Sequence, residues 1–161
     1  MTIITDSTVL PDIGMLTIDD SLDPAQAEAA VLAARRFYAF WDTGDVRHLD
    51  AAIAAEFHDH TLPAGRPQGP AGPPAASQCF RAAVPDLRCE IEDLLVVGDK
   101  VAARLRWRGS FTGVLGDRQG AGEPIDFMVI DVLGVRDGRI VANWHLENIA
   151  ILMQQLGVAS L

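Results

Sequence analysis

The sequence predicts an α+β domain: N-terminal helices first, then an antiparallel β-sheet that curls around them. Three features predict it. Apolar residues recur at three- and four-residue spacing through the first half of the chain, the period changes to two from Asp86 onward, and Gly-Asp and Asp-Gly signals separate the alternating stretches. Helices followed by a run of antiparallel strands pack as a sheet curled around its helices.

Asp23-Pro24 followed by Gln26 reads as an N-cap, a proline at the first helical position and a capping-box partner. The helix that starts there places Ala27, Ala30, Val31, Ala34, Phe37, Tyr38 and Trp41 on one face, and Gly44 stops it. Asp45 can cap a second, shorter helix with Val46, Leu49 and Ile53 inward, fading near Phe57. Residues 63–74, PAGRPQGPAGPP, form a loop, because proline and glycine leave few donors and no side-chain periodicity. A third helix runs from about Pro74 to Val84, with Phe80, Ala83 and Val84 inward, and Pro85 ends it. Residues 1–22 read as an N-terminal arm, partly disordered, and residues 23–161 as one domain.

Leu87, Cys89 and Ile91 then alternate with Arg88, Glu90 and Glu92, and Gly98-Asp99 turns the chain into a second strand from Lys100 to Ser110. After the glycine-rich stretch GVLGDRQGAG come a third strand, about Pro124 to Val135, and a fourth, Arg139 to Ile149. A helical turn over Leu152–Leu156 closes the chain, stopped by Gly157. The intervening Arg136-Asp137-Gly138 suits a three-residue hairpin with Gly138 left-handed. That turn pairs Val135 with Arg139, so Val129 faces His145 and Asp131 faces Asn143. Asp131 and His145 are then diagonal neighbours, roughly 6–8 Å apart at Cβ. A two-residue turn would instead set Asp131 opposite Trp144.

One face of this ribbon carries Asp131, Asn143, His145 and Glu147, and is assigned to the interior of the curled sheet as the wall of a mostly apolar pocket. The other carries Met128, Ile130, Val132, Ile140, Ala142, Trp144 and Leu146. So apolar an outer face needs a partner, and a homodimer through it is the expectation. In the segment EFHDHT, His58 and His60 point one way and Phe57, Asp59 and Thr61 the other. His60 is the candidate there, and either His60 or His145 can serve as acid or base near neutral pH.

Composition narrows the function. The chain has 161 residues, 49% hydrophobic, enough for one core. Its net charge of −9 sets it against phosphate backbones and anionic membranes, so neither nucleic acid nor membrane is an expected partner. Cys79 and Cys89 are the cysteines, and with no secretory signal read at the N-terminus both are expected as reduced thiols in the cytoplasm. His58, His60, His145 and Asp131 lack a metal-ligand spacing code, so no metal is expected.

The runs VAARLRWRGSFTG (101–113), IDVLGVRDGRIVANW (130–144) and MQQLGV (153–158), with Asp59-His60 after a helix containing FYAFWDTGD, resemble the SnoaL-like polyketide cyclases. These belong to the nuclear transport factor 2-like superfamily, and the resemblance implies its cystatin-like form, a cone-shaped curved antiparallel sheet with the N-terminal helices packed over the concave face. The resemblance covers roughly residues 24–158. It implies a cofactor-free acid/base ring closure or isomerisation of a small hydrophobic carbonyl compound, an aldol-type lyase or isomerase. His145 is then the base, Asp131 its orienter and His60 a third polar group, with Asn143, Trp107, Arg104, Tyr38, Trp41 and Glu147 contacting substrate. His145 stands where the family usually has its acid/base aspartate after the tryptophan, and Asn148 replaces a further frequent aspartate. Enzyme status therefore stays open, and two other readings stand beside this one. One is a non-catalytic binding or dimerisation module of the same fold. The other is a chemistry similar to limonene epoxide hydrolase, in which Arg104 and Asp131 join a second carboxylate from Glu147 or Asp126.

Overall fold

The computed structural model describes residues 9–158. Its elements follow in the order β1 (Ile13–Ile18), α1 (Pro24–Thr43), α2 (Val46–Ala52), β2 (Ile53–Asp59), α3 (Gly72–Ala83), β3 (Arg88–Val97), β4 (Lys100–Phe111), β5 (Val114–Leu115), β6 (Arg118–Gln119), β7 (Glu123–Arg136), β8 (Arg139–Glu147) and α4 (Ile149–Gln155). The architecture is the expected α+β one, helices against a large curled sheet. The sheet itself is mixed. Its six strands run β1-β3-β4-β7-β8-β2, with an antiparallel centre and an edge strand at each end paired parallel to its neighbour.

Both edge strands correct the sequence reading. Part of the stretch assigned to an N-terminal arm is β1, paired with β3 from Ile13 opposite Ile91 to Ile18 opposite Val96; residues 1–8 of that arm lie outside the described residues. The second helix does not fade near Phe57 but ends at Ala52, and the chain passes directly into β2. Ile53-Ala54-Ala55-Glu56 is locally a helix-compatible string, and pairing with β8 overrides that preference. The glycine-rich stretch contains the small β5–β6 hairpin.

Helix α1 forms for the reasons its sequence gives. The Asp23 carboxylate accepts the Gln26 N–H, Pro24 occupies the first turn, and Gly44 at φ 77° closes the end by donating to the Phe40 carbonyl. Its buried face, Ala27, Ala30, Ala34, Phe37 and Tyr38, lies on the concave side of the sheet against Leu94, Leu105, Val129 and Leu133 in one continuous core.

The last hairpin decides what faces that core. Its turn has two residues, Asp137 at φ 51° and Gly138 at φ 70°, and pairs Arg136 with Arg139. Both central residues are left-handed, the requirement that Asp-Gly meets best. By itself this turn would set Asp131 opposite Trp144. A bulge follows, Val135 pairing with Ile140 but Gly134 with Ala142, so Val141 is the extra residue. The combined shift sets Asp131 opposite His145, Leu133 opposite Asn143 and Val129 opposite Glu147. The expected pairings of Asp131 with Asn143 and of Val129 with His145 are thus each displaced by two residues. An even displacement preserves the face, and Asp131, Asn143 and His145 still point inward. The bulge also turns Ile140 inward, where it is fully buried.

Candidate active site

Four ionisable side chains meet on the inner face near the β2 edge: Asp131 from β7, His145 and Glu147 from β8, and Asp59 from the end of β2. His145 Nδ1 lies 2.7 Å from Glu147 Oε1, and its Nε2 lies 2.9 Å from Asp59 Oδ2. Thr61 completes the clamp, its hydroxyl accepting the His145 backbone N–H at 3.0 Å while its own backbone N–H donates to Asp59 Oδ1 at 2.9 Å. A carboxylate only accepts, so two carboxylates on the two ring nitrogens require both nitrogens to carry hydrogen. His145 is therefore an imidazolium. The Glu147 hydrogen bond, reinforced by Asp59 and opposed by partial burial, holds its pKa up at about 9. Glu147 moves the other way: burial raises it, but His145 outweighs burial and its pKa falls below the ordinary value.

Asp131 is only 4% exposed. Burial raises its pKa to about 7, the His145 charge pulling it back down and Glu147 and Asp59 pushing it up. Among the described residues, the buried polar atoms without a hydrogen-bond partner include the Tyr38 hydroxyl, which lies beside Asp131, Nε1 of Trp107 next to the Cys89 thiol, and Oδ1 of Asn143. Burial and the nearby Asp131 carboxyl raise the Tyr38 pKa well above its usual value, so this hydroxyl is a donor.

The interior that these groups line is filled with rings rather than open as a ligand-sized hollow. Trp107 contacts Trp41 at 5.3 Å, Phe80 at 5.6 Å and Phe127 at 5.9 Å between centroids, and Phe37 contacts both Tyr38 and Trp41. Trp41 and Phe80 are the half-buried members of that set. A cleft of about 230 Å³ lies elsewhere, on the outer face between the sheet and α4, lined by Arg104, Arg106, Asp126, Met128 and Ile151, and it shares no residue with the acid–base cluster.

This geometry rearranges the roles expected from the sequence. His145 is positioned by Glu147 and Asp59, not by Asp131, and in the resting site it already holds the proton that a base would accept. Asp131 is the carboxyl poised to titrate near neutrality. His60 lies on the exposed side of β2's end, its ring stacked on Trp144 at 4.4 Å, away from the cluster. Arg104 also points outward, bonded to Glu92 and, at 2.6 Å, to Asp93. The Asp-Arg-Asp set of the epoxide hydrolase reading is therefore not assembled. Tyr38, Trp107 and Asn143 lie inside, with Trp41 at the margin. Asp59 is the group that sequence reasoning passed over. Its signal was parity, since a strand that buries Phe57 must also turn Asp59 inward and leave His58 and His60 outside. Among the described residues no three His, Cys, Asp or Glu side chains converge as a metal-ligand set.

The model of the SnoaL-like polyketide cyclase family matches residues 31–156. The chain belongs to this family. A solved structure, a proposed polyketide cyclase from Bacillus cereus ATCC 10987, is 49% identical, with a TM-score of 0.84 over 94% of this chain and 95% of that one. TsrD from Streptomyces laurentii is 28% identical at a TM-score of 0.73, over 86% of this chain and 100% of its own. IdmH, a proposed polyketide cyclase from Streptomyces antibioticus, is 28% identical at a TM-score of 0.69, over 78% and 96% of the two chains. A search of curated proteins finds no match. For a SnoaL-like chain, His145 in place of the usual aspartate changes the charge of the site's centre, and Asn148, at the second departure, caps α4 by accepting the Ile151 N–H.

Proposed function

We infer that the protein is an acid–base enzyme of the SnoaL-like cyclase type, which closes a ring in, or isomerises, a small hydrophobic carbonyl compound without a cofactor. Asp131 is the general base. Its carboxylate removes a proton from a carbon flanked by two carbonyls, leaving an enolate. The His145 imidazolium, on the facing strand, stabilises that oxyanion by charge. In the cyclising case the enolate carbon then attacks a second carbonyl of the same molecule, one C–C bond forms, and Asp131 gives the proton it removed to the new alkoxide, which returns the carboxylate to its starting state while His145 stays charged throughout. Glu147 and Asp59 keep the imidazole oriented and charged, and Tyr38, Trp107 and Asn143 offer two donors and an acceptor to substrate oxygens.

The observation that carries this reading is the pairing of one buried carboxyl, pKa about 7, with one imidazolium, pKa about 9, on facing strands. At neutral pH the base is partly ionised and the imidazolium keeps its charge, so proton abstraction and stabilisation of the resulting oxyanion are available together. The 49% identity to a proposed polyketide cyclase supports the same class. The test is exchange of the central protons of 1-phenylbutane-1,3-dione in D₂O. Wild-type protein is expected to accelerate exchange and Asp131→Asn to abolish the acceleration; equal rates in both would remove Asp131 as base.

The ring-filled interior favours a second reading, a binding module whose aromatic core is its main purpose. The same exchange assay separates the two, since a module binds the diketone without labelling it. In either case we place the protein in the reducing cytosol, where the exposed Cys79 and buried Cys89 persist as free thiols. No helix among the described residues is long and apolar enough to cross a membrane. We assign the outer sheet face to a homodimer contact, because Met128, Ile130 and Leu146 lie exposed on it beside Ile149 and Ile151.

A further inference from the structure

The proline- and glycine-rich loop between β2 and α3 contributes one side chain that braces the acid–base cluster from behind. β2 is an edge strand. On its β8 side the His60 N–H donates to the Asn143 carbonyl at 2.9 Å. By the alternation of a parallel ladder, the N–H and C=O of Asp59 face the open edge. Gln68 fills that edge. Its Oε1 accepts the Asp59 N–H at 2.9 Å, and its Nε2 donates to the Asp59 carbonyl at 2.8 Å, the two bonds a further strand would have supplied. The same Oε1 accepts the Gly69 N–H at 2.8 Å, which ties the amide to the turn that follows. On the other side of the backbone, the Asp59 carboxylate meets His145 Nε2 and Thr61.

We propose that Gln68 is a positioning residue for this site: by pairing both backbone groups of Asp59, it fixes the carboxylate that holds Nε2 of His145. The proposal rests on the assignment of His145 as the charged partner of Asp131. Gln68 is itself exposed and belongs to no helix or strand, so its replacement leaves the core untouched. A simple loop staple would make the same three hydrogen bonds, and the experiment has to tell the two roles apart.

The full-length protein is titrated by NMR, following the ring Cε1–H of His145, assigned by its disappearance in His145→Gln. Wild type, Gln68→Ala, Gln68→Met, Asp59→Asn and the Asp59→Asn/Gln68→Met double variant are compared. Gln68→Met keeps the length of the side chain without its hydrogen bonds and serves if the alanine variant folds poorly. Both Gln68 variants should lower the His145 midpoint by about one unit, because a loosened carboxylate supports the imidazolium less. The alkaline limb of diketone exchange should move down with it. In the Asp59→Asn background, Gln68→Met should add no shift, since the path through the carboxylate is already cut. An unchanged midpoint in the Gln68 variants, or an equal shift in the Asp59→Asn background, overturns the proposal. Absence of exchange in wild type overturns the catalytic reading instead, and leaves the brace on His145 to be decided by the titration.

Discussion

Asp131 and His145 stand directly opposite each other across the β7–β8 hairpin, yet the imidazole gives both of its ring hydrogens to other carboxylates, Glu147 and Asp59. Asp131 feels the imidazolium through space without bonding to it. That separation leaves the Asp131 carboxyl free of a hydrogen bond to the imidazolium and keeps the nearby positive charge fixed.

The rate of diketone exchange should follow a bell with pH. It rises as Asp131 ionises, around pH 7, and falls as His145 loses its proton, around pH 9. The two limbs belong to the interacting set as a whole and are measured as apparent values. Asp131→Asn should cost about 10²–10⁴-fold in rate and remove the acidic limb. A profile that is flat from pH 6 to 10 would contradict the pairing.

His145→Gln removes the positive charge from among three carboxyl groups. The His145 charge is the strongest influence lowering the Asp131 pKa, so the acidic limb should move to higher pH as overall rate falls. Two partly buried carboxylates also lose their shared partner. Breaking such a set costs roughly 2–3 kcal/mol at pH 7, below the usual range for a fully buried pair because Glu147 keeps a third of its surface exposed. Urea unfolding of the two proteins measures the difference, which should narrow as falling pH neutralises the carboxylates.

Stability of the wild-type protein should fall on the alkaline side. The His145 pKa rises from 6.5 to about 9 on folding, so its contribution is complete below pH 6.5 and is lost as pH climbs through 9. The loss is at most about 3 kcal/mol, with partial exposure of the ring reducing it. Chemical denaturation at pH 6, 8 and 10 tests this, and the slope should be absent in His145→Gln.

Much of this site was legible in the sequence, and the failures have physical causes. The period-two pattern placed Asp131, Asn143, His145 and Glu147 on one face, and the structure agrees because a two-residue turn and a one-residue bulge restore the parity that either alone would break. The alternation that sets Phe57 and Asp59 opposite His58 and His60 was visible, but His60's side was chosen as the inner one, because residues 53–56 read as helix and the strand whose burial fixes the side had no visible start. Arg104 illustrates a different limit. Its position in a strand was clear, but its partner was decided by Glu92 and Asp93 on β3, across a register shift that no local pattern announces. The assignment of imidazolium and base depended on distances, which periodicity does not contain.

Leu146→Asp should convert a dimer to monomers. Leu146 is 74% exposed on the apolar outer face, opposite Ile130, so a charge there costs a lone chain little and a dimer interface a great deal. Light scattering coupled to size exclusion reads the mass directly. A monomeric wild type at micromolar concentration would remove the outer face as a self-association surface.

Tyr38→Phe sets stability against activity. The Tyr38 hydroxyl is buried with no hydrogen-bond partner among the described residues, a state that costs about 1–3 kcal/mol for a polar group in a core. If that hydroxyl served folding alone, the sequence would keep a destabilising atom to no purpose. Phenylalanine retains the ring packing against Phe37 and removes the unsatisfied group, so the variant should melt at a higher temperature than wild type. It should also lose at least about tenfold in diketone exchange, since a neutral donor to the developing oxyanion disappears. Calorimetry and the pH profile on the same preparation decide the matter. Higher stability with undiminished exchange would make Tyr38 a packing residue and leave the substrate to be held by Trp107 and Asn143.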